Sequence, residues 1–282
     1  MSAAVHPLET AALRRWRRLR AEGRGADADA VLWDALAQEP NLPGVHVALA
    51  HQRWPGPDYR HWLAWFHAHL KPRLYLEIGV EFGHTLRLAR PGTQATGVDP
   101  APRGDPLSGC EAPTRLFPCT SAAFFAELGA DDPLAAQGFD LAFIDGDHAF
   151  DAVLDDFIGA ERLAAPGAVL LLHDTVPLTA ATAGRERRTG FHTGDGWKIV
   201  PCLRALRPDL RVVTLSTAPT GLTVVTGLDP SSTRLPERRQ AIRESYAALP
   251  PEAVVAEPGR VLALGPNDPV WLARWLSAAG AR

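Results

Sequence analysis

The sequence predicts a doubly wound α/β fold built around a mostly parallel sheet. Two features indicate it: short, nearly continuous apolar runs, as in strands buried on both faces, and polar or acidic residues where each run ends. The runs cover residues 74–78, 95–98, 139–144 and 167–172. Because ligands bind beyond the carboxyl ends of strands in open α/β sheets, we expect these four strand ends to meet at one site.

The first strand leads into a glycine-spaced loop with the sequence EIGVEFG at residues 77–83. Gly79 and Gly83 allow the backbone to turn sharply and to approach a ligand closely. A helix is expected after Gly83, with its free N–H groups directed at a ligand carboxylate. The spacing differs from the G-x-G-x-x-G fingerprint of dinucleotide-binding loops, which disfavours a nicotinamide dehydrogenase.

Two acids close the first two strands. Asp99 follows the second strand about 20 residues beyond the glycine loop, where an acid can accept hydrogen bonds from ribose hydroxyls. Glu77 lies at the end of a buried strand, where an unpaired acid is costly. We therefore expect a cofactor ammonium group or a loop amide to be its partner.

Two further acids, Asp145 and Asp174, follow the strands at residues 139–144 and 167–172. Neighbouring strands lie about 4.8 Å apart, so the two carboxylates could share one hard cation such as magnesium or manganese. A cation lowers the pKa of a bound hydroxyl, and His148, with an ordinary pKa of about 6.5, could accept the proton as general base. Two other interpretations stay open: the acids cap the following helices, and His148 satisfies backbone groups.

Taken together, these segments resemble the class I S-adenosylmethionine-dependent methyltransferases over roughly residues 74–228. The loop at 77–83 resembles the first cofactor motif of that superfamily. The sequences IDGDH at 144–148 and LHDT at 172–175 look like the metal-dependent O-methyltransferases that act on catechol, on caffeoyl-coenzyme A, or on bacterial natural products and sugars. The resemblance implies a Rossmann-like sheet of seven strands.

The same resemblance implies roles for individual residues. Asp99 would bind the ribose, Thr85 would contact the methionine carboxylate, and Ser121 would lie near the adenine. Asp145 and Asp174 would hold the cation that binds the acceptor hydroxyl. The chain departs from the pattern at one position, because His148 stands where the catechol-type enzymes carry a lysine as general base. The cofactor-binding set is thus Glu77, Gly79, Gly83, Thr85, Asp99 and Ser121, the metal set Asp145 and Asp174, and the catalytic set His148 and Asp145.

The sequence therefore predicts an S-adenosylmethionine-dependent methyltransferase that modifies an acceptor hydroxyl with the help of a divalent cation. A small molecule or a glycan is the expected acceptor. Two alternatives remain: a metal-independent N- or O-methyltransferase, and a non-catalytic cofactor-binding protein that recruits a partner.

Composition agrees with a bacterial enzyme of this kind. A formal net charge of −3 argues against nucleic acid as an obligatory partner. Three cysteines match neither a metal spacing nor an even disulfide set, which favours a cytoplasmic location. No apolar run approaches the roughly 18 residues of a membrane span, so no membrane partner is expected.

We divide the chain into a helical extension (1–70), a methyltransferase domain (71–228) and a C-terminal helical extension (229–282). The first extension is predicted to hold four helices, at residues 8–21, 26–38, 45–52 and 59–70. The first two resemble a tetratricopeptide-type hairpin. Since a solenoid needs about three such units, the pair is expected to serve as a cap, a substrate lid or a dimerisation surface.

Residues 180–197 form a long segment after Asp174 and are a candidate lid. Its arginines, Arg185, Arg187 and Arg188, could clamp an anionic substrate, although a merely mobile loop is an equal alternative. A helix at 197–206 and an antiparallel strand pair at 210–215 and 222–226 are expected to follow. The C-terminal extension is predicted to contain one helix at 236–249 and an amphipathic end at 270–276 that packs against the core or a second subunit.

Overall fold

The computed structural model describes residues 6–278 and residue 280. Residues 1–5 of the predicted N-terminal extension and residues 279, 281 and 282 of the C-terminal extension lie outside the described part. The strands are β1 Leu74–Ile78, β2 Gln94–Val98, β3 Thr114–Phe117, β4 Phe139–Ile144, β5 Ala164–His173, β6 Arg211–Leu215, β7 Leu222–Thr226 and β8 Leu264–Gly265. The α-helices are α1 Pro7–Ala21, α2 Gly25–Gln38, α3 Pro43–Arg53, α4 Tyr59–Leu70, α5 Ser121–Glu127, α6 Pro133–Gln137, α7 Phe150–Glu161, α8 Ile199–Leu206, α9 Arg239–Ala247, α10 Pro251–Ala256, α11 Pro258–Leu262 and α12 Pro269–Ser277.

The strands form one sheet in the order β3-β2-β1-β4-β5-β7-β6-β8. Strands β1 to β5 pair in parallel, and β7 runs antiparallel to both β5 and β6. The order reverses between β1 and β4, and the crevice at such a switch point is where ligands bind in open α/β sheets. The predicted doubly wound, mostly parallel sheet is confirmed.

Both faces of the sheet are covered, because successive side chains of a strand point to opposite faces. In β1, Leu76 and Ile78 belong to one buried cluster, which also takes in α2, α3 and α7. Tyr75 belongs to a second cluster on the other face, together with Trp62 and Phe66 of α4. Helix α4 therefore packs directly on the sheet.

The four predicted N-terminal helices are present as α1 to α4. Helix α1 packs against α2 and α3, and the Trp16 indole donates to the Gln52 side chain over 2.8 Å. The Gly44 amide donates to the carboxylate of Glu9, which ties the start of α3 to α1. No α-helix among the described residues is long and apolar enough to cross a membrane.

Three expectations about elements are wrong. No α-helix follows Gly83; turns lead instead into a short 3₁₀ helix at Leu86–Leu88. Pro91 and Gly92 follow soon afterwards and end the segment that connects the loop to β2. Because the residue before a proline disfavours the helical conformation, too few residues remain for α-helical turns. The sheet also has an eighth strand, β8, paired with the edge strand β6.

The third correction concerns the C-terminal extension. The helix predicted at 236–249 is a 3₁₀ helix at Pro236–Arg238 followed by α9, and Pro250 and Pro258 divide the rest into α10 and α11. Proline lacks the N–H that continues a helix, so each one starts a new element. Leu272 and Leu276 of α12 are buried in the second cluster, so the amphipathic end packs against the core.

Candidate active site

A cavity of about 810 Å³ lies at the carboxyl ends of β1, β2, β4 and β5. Its walls come from the loops after β1, β2 and β4, the start of α5 and of α4, the end of β5, and the segment 187–192. Ligand pockets in proteins span about 300–1,000 Å³, so this cavity has room for a cofactor and part of an acceptor. The predicted meeting of strand ends at one site is therefore what the fold produces.

The glycines of the loop after β1 are required by the packing of the chain itself. Gly79 has φ +86°, and a Cβ there would overlap the carbonyl oxygen of Asp145. Gly83 has φ +71°, and a Cβ there would overlap the carbonyl oxygen of Pro106. Gly79 lines the cavity, whereas Gly83 stands behind its wall. Gly79 is thus the glycine that lies at the cavity, and Gly83 fixes the conformation of the loop.

Asp99 holds this loop in place. Its Oδ2 accepts from the backbone N–H groups of Val80 at 2.9 Å and Glu81 at 2.8 Å, and its Oδ1 accepts from the N–H of Ala101 at 2.7 Å. The side chain is buried but forms part of the cavity wall. Asp99 therefore lies where the sequence predicts, with most of its hydrogen-bonding capacity used by the backbone.

Glu77 and Thr85 form a buried pair beneath the loop. The Tyr75 and Thr85 hydroxyls donate to the Glu77 carboxylate over 2.6 and 2.7 Å. Burial raises the pKa of Glu77 to about 8. The two hydroxyl hydrogen bonds and the nearby Leu86 N–H act in the opposite direction and lower it. The structure therefore satisfies the Glu77 carboxyl with two hydroxyls. Glu77 lies outside the cavity wall, whereas Thr85 is part of that wall.

Three side chains converge at the ends of β4 and β5. Asp145, His148 and Asp174 each present one ligand atom, and these three atoms lie within 4.8 Å of one another. The Nε2 of His148 is 3.0 Å from the Oδ2 of Asp174. All three line the cavity. Two carboxylate oxygens at this separation could share a divalent cation such as manganese or magnesium, with the imidazole nitrogen beside it.

The orientation of His148 is set by its other ring nitrogen. Nδ1 is 3.0 Å from the carbonyl oxygen of His192. A carbonyl can only accept, so Nδ1 donates and carries a proton. Nε2 faces Asp174, to which it donates when the ring is protonated and toward which it presents its lone pair when the ring is neutral.

His173 balances the charge of the two acids. Its Nδ1 lies 3.0 Å from Asp145 Oδ1 and 3.6 Å from Asp174 Oδ1, and the Thr220 hydroxyl contacts its Nε2 over 3.2 Å. Burial opposes the charged imidazole, but the two carboxylates raise the pKa of His173 well above its ordinary value. Burial likewise opposes ionisation of Asp174, and the two histidines lower its pKa. Asp174 is therefore held as a carboxylate.

Helix capping by these acids is excluded. The helix after Asp145 begins at Phe150 and has Ala149 at its N-cap. Asp174, at φ +55°, is followed by irregular backbone up to the 3₁₀ helix at Gly196–Lys198. Asp147, by contrast, is a turn residue whose carboxylate accepts from the Ala149 N–H over 2.9 Å.

Ser121 begins α5, beside the helix cap Thr120, and lines the cavity as predicted. Sequence analysis missed its neighbour Asp156, a buried acid on α7 that also lines the cavity. Burial raises the pKa of Asp156 to about 6, although a hydrogen bond with Ser121 lowers it. A signal existed, because Asp156 stands between Val153 and Phe157 on the apolar side of α7.

Tyr59 and Arg60, at the start of α4, also line the cavity and were not predicted from the sequence. The Tyr59 ring lies 4.1 Å from the His173 ring, and the Arg60 guanidinium lies over Tyr59. Nothing in the sequence could indicate this, since α4 reaches the site only through its packing on the sheet.

Of the three arginines in the segment 180–197, only Arg187 lines the cavity. Arg185 pairs with Asp151 over 2.7 Å, and Arg188 pairs with Glu186. The segment is anchored from within, as the Trp197 indole donates to the Ala183 carbonyl over 3.0 Å. The side chains of Thr182, Ala183, Thr193 and Trp197 are all fully buried. These contacts make it a packed wall of the cavity.

Comparison with known proteins decides the class of this domain. Residues 76–175, from β1 to just beyond β5, match the family model of a methyltransferase domain. Residues 76–175 are a methyltransferase domain. The sequence prediction of a class I methyltransferase is thereby confirmed. No curated protein sequence matches the chain.

Solved structures that are similar to this chain include the following three. The structure of cofactor-bound Rv0187 from MTB has 16% sequence identity and a TM-score of 0.50, over 65% of this chain and 87% of that one. An O-methyltransferase from Bacillus cereus in complex with SAH has 15% identity and a TM-score of 0.47, over 64% and 90%. TomG from Streptomyces achromogenes, in complex with SAM, has 20% identity and a TM-score of 0.46, over 64% and 86%.

Proposed function

We propose that this methyltransferase takes its methyl group from S-adenosylmethionine and transfers it to an acceptor hydroxyl with the help of a divalent cation. The observation that carries the proposal is the convergence of Asp145, His148 and Asp174 on the wall of the cavity that also contains Gly79 and Asp99. The same cavity therefore has one side for the cofactor and another where these three side chains can bind and activate an acceptor hydroxyl.

The cofactor half is the side of the cavity between β1, β2 and α5. Asp99 holds the Val80 and Glu81 amides and is the candidate ribose acceptor. Ser121 and Asp156 lie on the wall at the start of α5, where the adenine is expected. Thr85 lines the same half, and we propose it for the methionine end.

In the acceptor half, Asp145 and Asp174 would hold the cation, which lowers the pKa of a coordinated hydroxyl. His148 carries a proton at Nδ1 and is placed to accept the acceptor's proton at Nε2. The His192 carbonyl prevents the ring from turning, so the accepting nitrogen stays directed at the acids. The remaining task of the chain is to align the oxygen with the methyl group, and such positioning can lower a barrier by roughly 7–11 kcal/mol.

The test is methyl transfer from labelled S-adenosylmethionine to a panel of phenols, sugars and hydroxy acids, with magnesium, manganese or a chelator. We expect transfer that chelation abolishes and that D145N and D174N reduce strongly. D140N is the matched control, because Asp140 binds backbone N–H groups at the opposite end of β1, outside the cavity wall. Full activity after metal removal would replace the proposal by metal-independent transfer. Cofactor binding without turnover on any acceptor would favour a non-catalytic binding protein.

A further inference from the structure

Two arginines on the acceptor side of the cavity are not used by the proposed chemistry. Arg60 comes from the first turn of α4, and Arg187 comes from the segment 180–197, so different elements bring them to one cavity. Neither has a carboxylate within 4.0 Å among the described residues. By contrast, Arg103, the other arginine on the cavity wall, pairs with Glu81 over 3.0 Å.

Both arginines are held by contacts that leave their charge unneutralised. The Nη2 of Arg187 donates to the Gly190 carbonyl over 2.9 Å, and Nε donates to the Thr189 carbonyl. The Nε of Arg60 donates to the Tyr59 hydroxyl over 3.1 Å. These neutral acceptors orient the guanidinium groups, so each keeps N–H donors for a ligand.

An aromatic residue lies between each arginine and the acid cluster, which consists of Asp145 and Asp174. Tyr59 lies between Arg60 and His173, whose ring is 4.1 Å from that of Tyr59. On the other side, Arg187 and His192 both line the cavity, and the His192 ring stacks 6.1 Å from that of His148. A ligand whose hydroxyl lies at Asp145 and Asp174 could therefore reach Arg60 past Tyr59 on one side. On the other side it could reach Arg187 past His192.

The geometry points to an acceptor that carries a carboxylate in addition to its hydroxyl. The carboxylate would bind Arg60 or Arg187, which lie on either side of the acids, since guanidinium groups match carboxylates with paired N–H donors. This inference rests on the proposed function and narrows it to acidic acceptors.

The test compares 3,4-dihydroxybenzoate with its neutral analogue 3,4-dihydroxybenzamide by calorimetry, on full-length protein saturated with S-adenosylhomocysteine and magnesium. We expect the benzoate to bind about tenfold more tightly. One of R60Q and R187Q should remove most of that preference, and both should leave benzamide binding unchanged. R188Q is the control, because Arg188 pairs with Glu186 and lies outside the cavity wall.

Equal affinity for the two compounds, binding of neither, or a benzoate preference that survives R60Q and R187Q would overturn the inference. The preceding titration with S-adenosylhomocysteine reports separately on the proposed function. If that cofactor product binds and the benzoate preference is missing, the acidic acceptor is wrong and the methyltransferase proposal stands. If the cofactor product does not bind, the proposed function itself fails.

Discussion

Asp99 is the residue on which the cofactor half of the cavity depends. Its carboxylate binds three backbone N–H groups, of which two belong to the loop after β1. We expect D99A to weaken S-adenosylhomocysteine binding more than tenfold, because the loop loses its anchor and the ribose its acceptor. Calorimetry measures the effect.

Asp140 provides a matched control for that substitution. It likewise binds backbone N–H groups, those of Arg73 and Leu74, but at the opposite end of β1. D140A should lower the melting temperature and leave cofactor affinity unchanged. If D99A and D140A had the same effect on affinity, Asp99 would act only through stability.

Glu77 makes a prediction about stability and pH. Burial raises its pKa from 4.5 to about 8 in the folded chain. Between these pH values the unfolded chain has released the Glu77 proton and the folded chain still holds it. The contribution of Glu77 to the free energy of unfolding is therefore full below pH 4.5 and is lost as the pH rises through about 8. E77Q should flatten the fall in unfolding free energy over that window. Denaturant titrations at several pH values test it, and an unchanged slope would contradict the assignment.

His148 can be separated from the metal-binding acids by one variant. If it accepts the proton, H148Q should lower kcat by about 10²–10⁴ and leave manganese affinity nearly unchanged. Manganese binding is followed by electron paramagnetic resonance, and D174N should abolish it. A matching loss of manganese affinity in H148Q would instead make the imidazole nitrogen a third ligand.

At the scale of residues, strand ends were the predictable part of the site. Asp99, Asp145 and Asp174 each follow an apolar run, and the topology of a parallel sheet brings such ends together. Tyr59 and Arg60 could not be predicted, because no local pattern indicates that the start of α4 reaches the acids.

Among the elements, the loop after β1 carries the clearest structural requirement. At Gly83, the positive φ and the Pro106 carbonyl both exclude a side chain. We expect G83A to destabilise the fold by several kcal/mol and to abolish cofactor binding. G92A is the control, since a Cβ there meets nothing within 4 Å. Thermal unfolding distinguishes them, and a G83A protein as stable as G92A would mean that the loop has another conformation.

The same loop shows where sequence reasoning about elements failed. Glycine spacing predicted the turn correctly, but the helix after it was inferred from the usual form of such units. Pro91 and Gly92 leave only a 3₁₀ helix between the loop and β2. The short strand β8 was equally hard to predict, because two residues cannot show a period.

For the molecule as a whole, the N-terminal helices complete the cavity. The imidazole of His46 on α3 stacks 5.1 Å from the ring of Phe191, and the Asn41 side chain accepts from the Gly190 N–H over 2.7 Å. Gly190 and Phe191 line the cavity. The extension therefore contacts two residues of the cavity wall, and its roles as a cap, a substrate lid or a dimerisation surface stay predictions.

The proposed function depends first on binding of the methyl donor in this cavity. Calorimetric titration of S-adenosylhomocysteine into the purified full-length protein, with and without magnesium or manganese, tests it without knowledge of the acceptor. We predict saturable binding of one molecule per chain that D99A weakens and D140A does not. Absence of binding in the wild-type protein under every metal condition would contradict the claim.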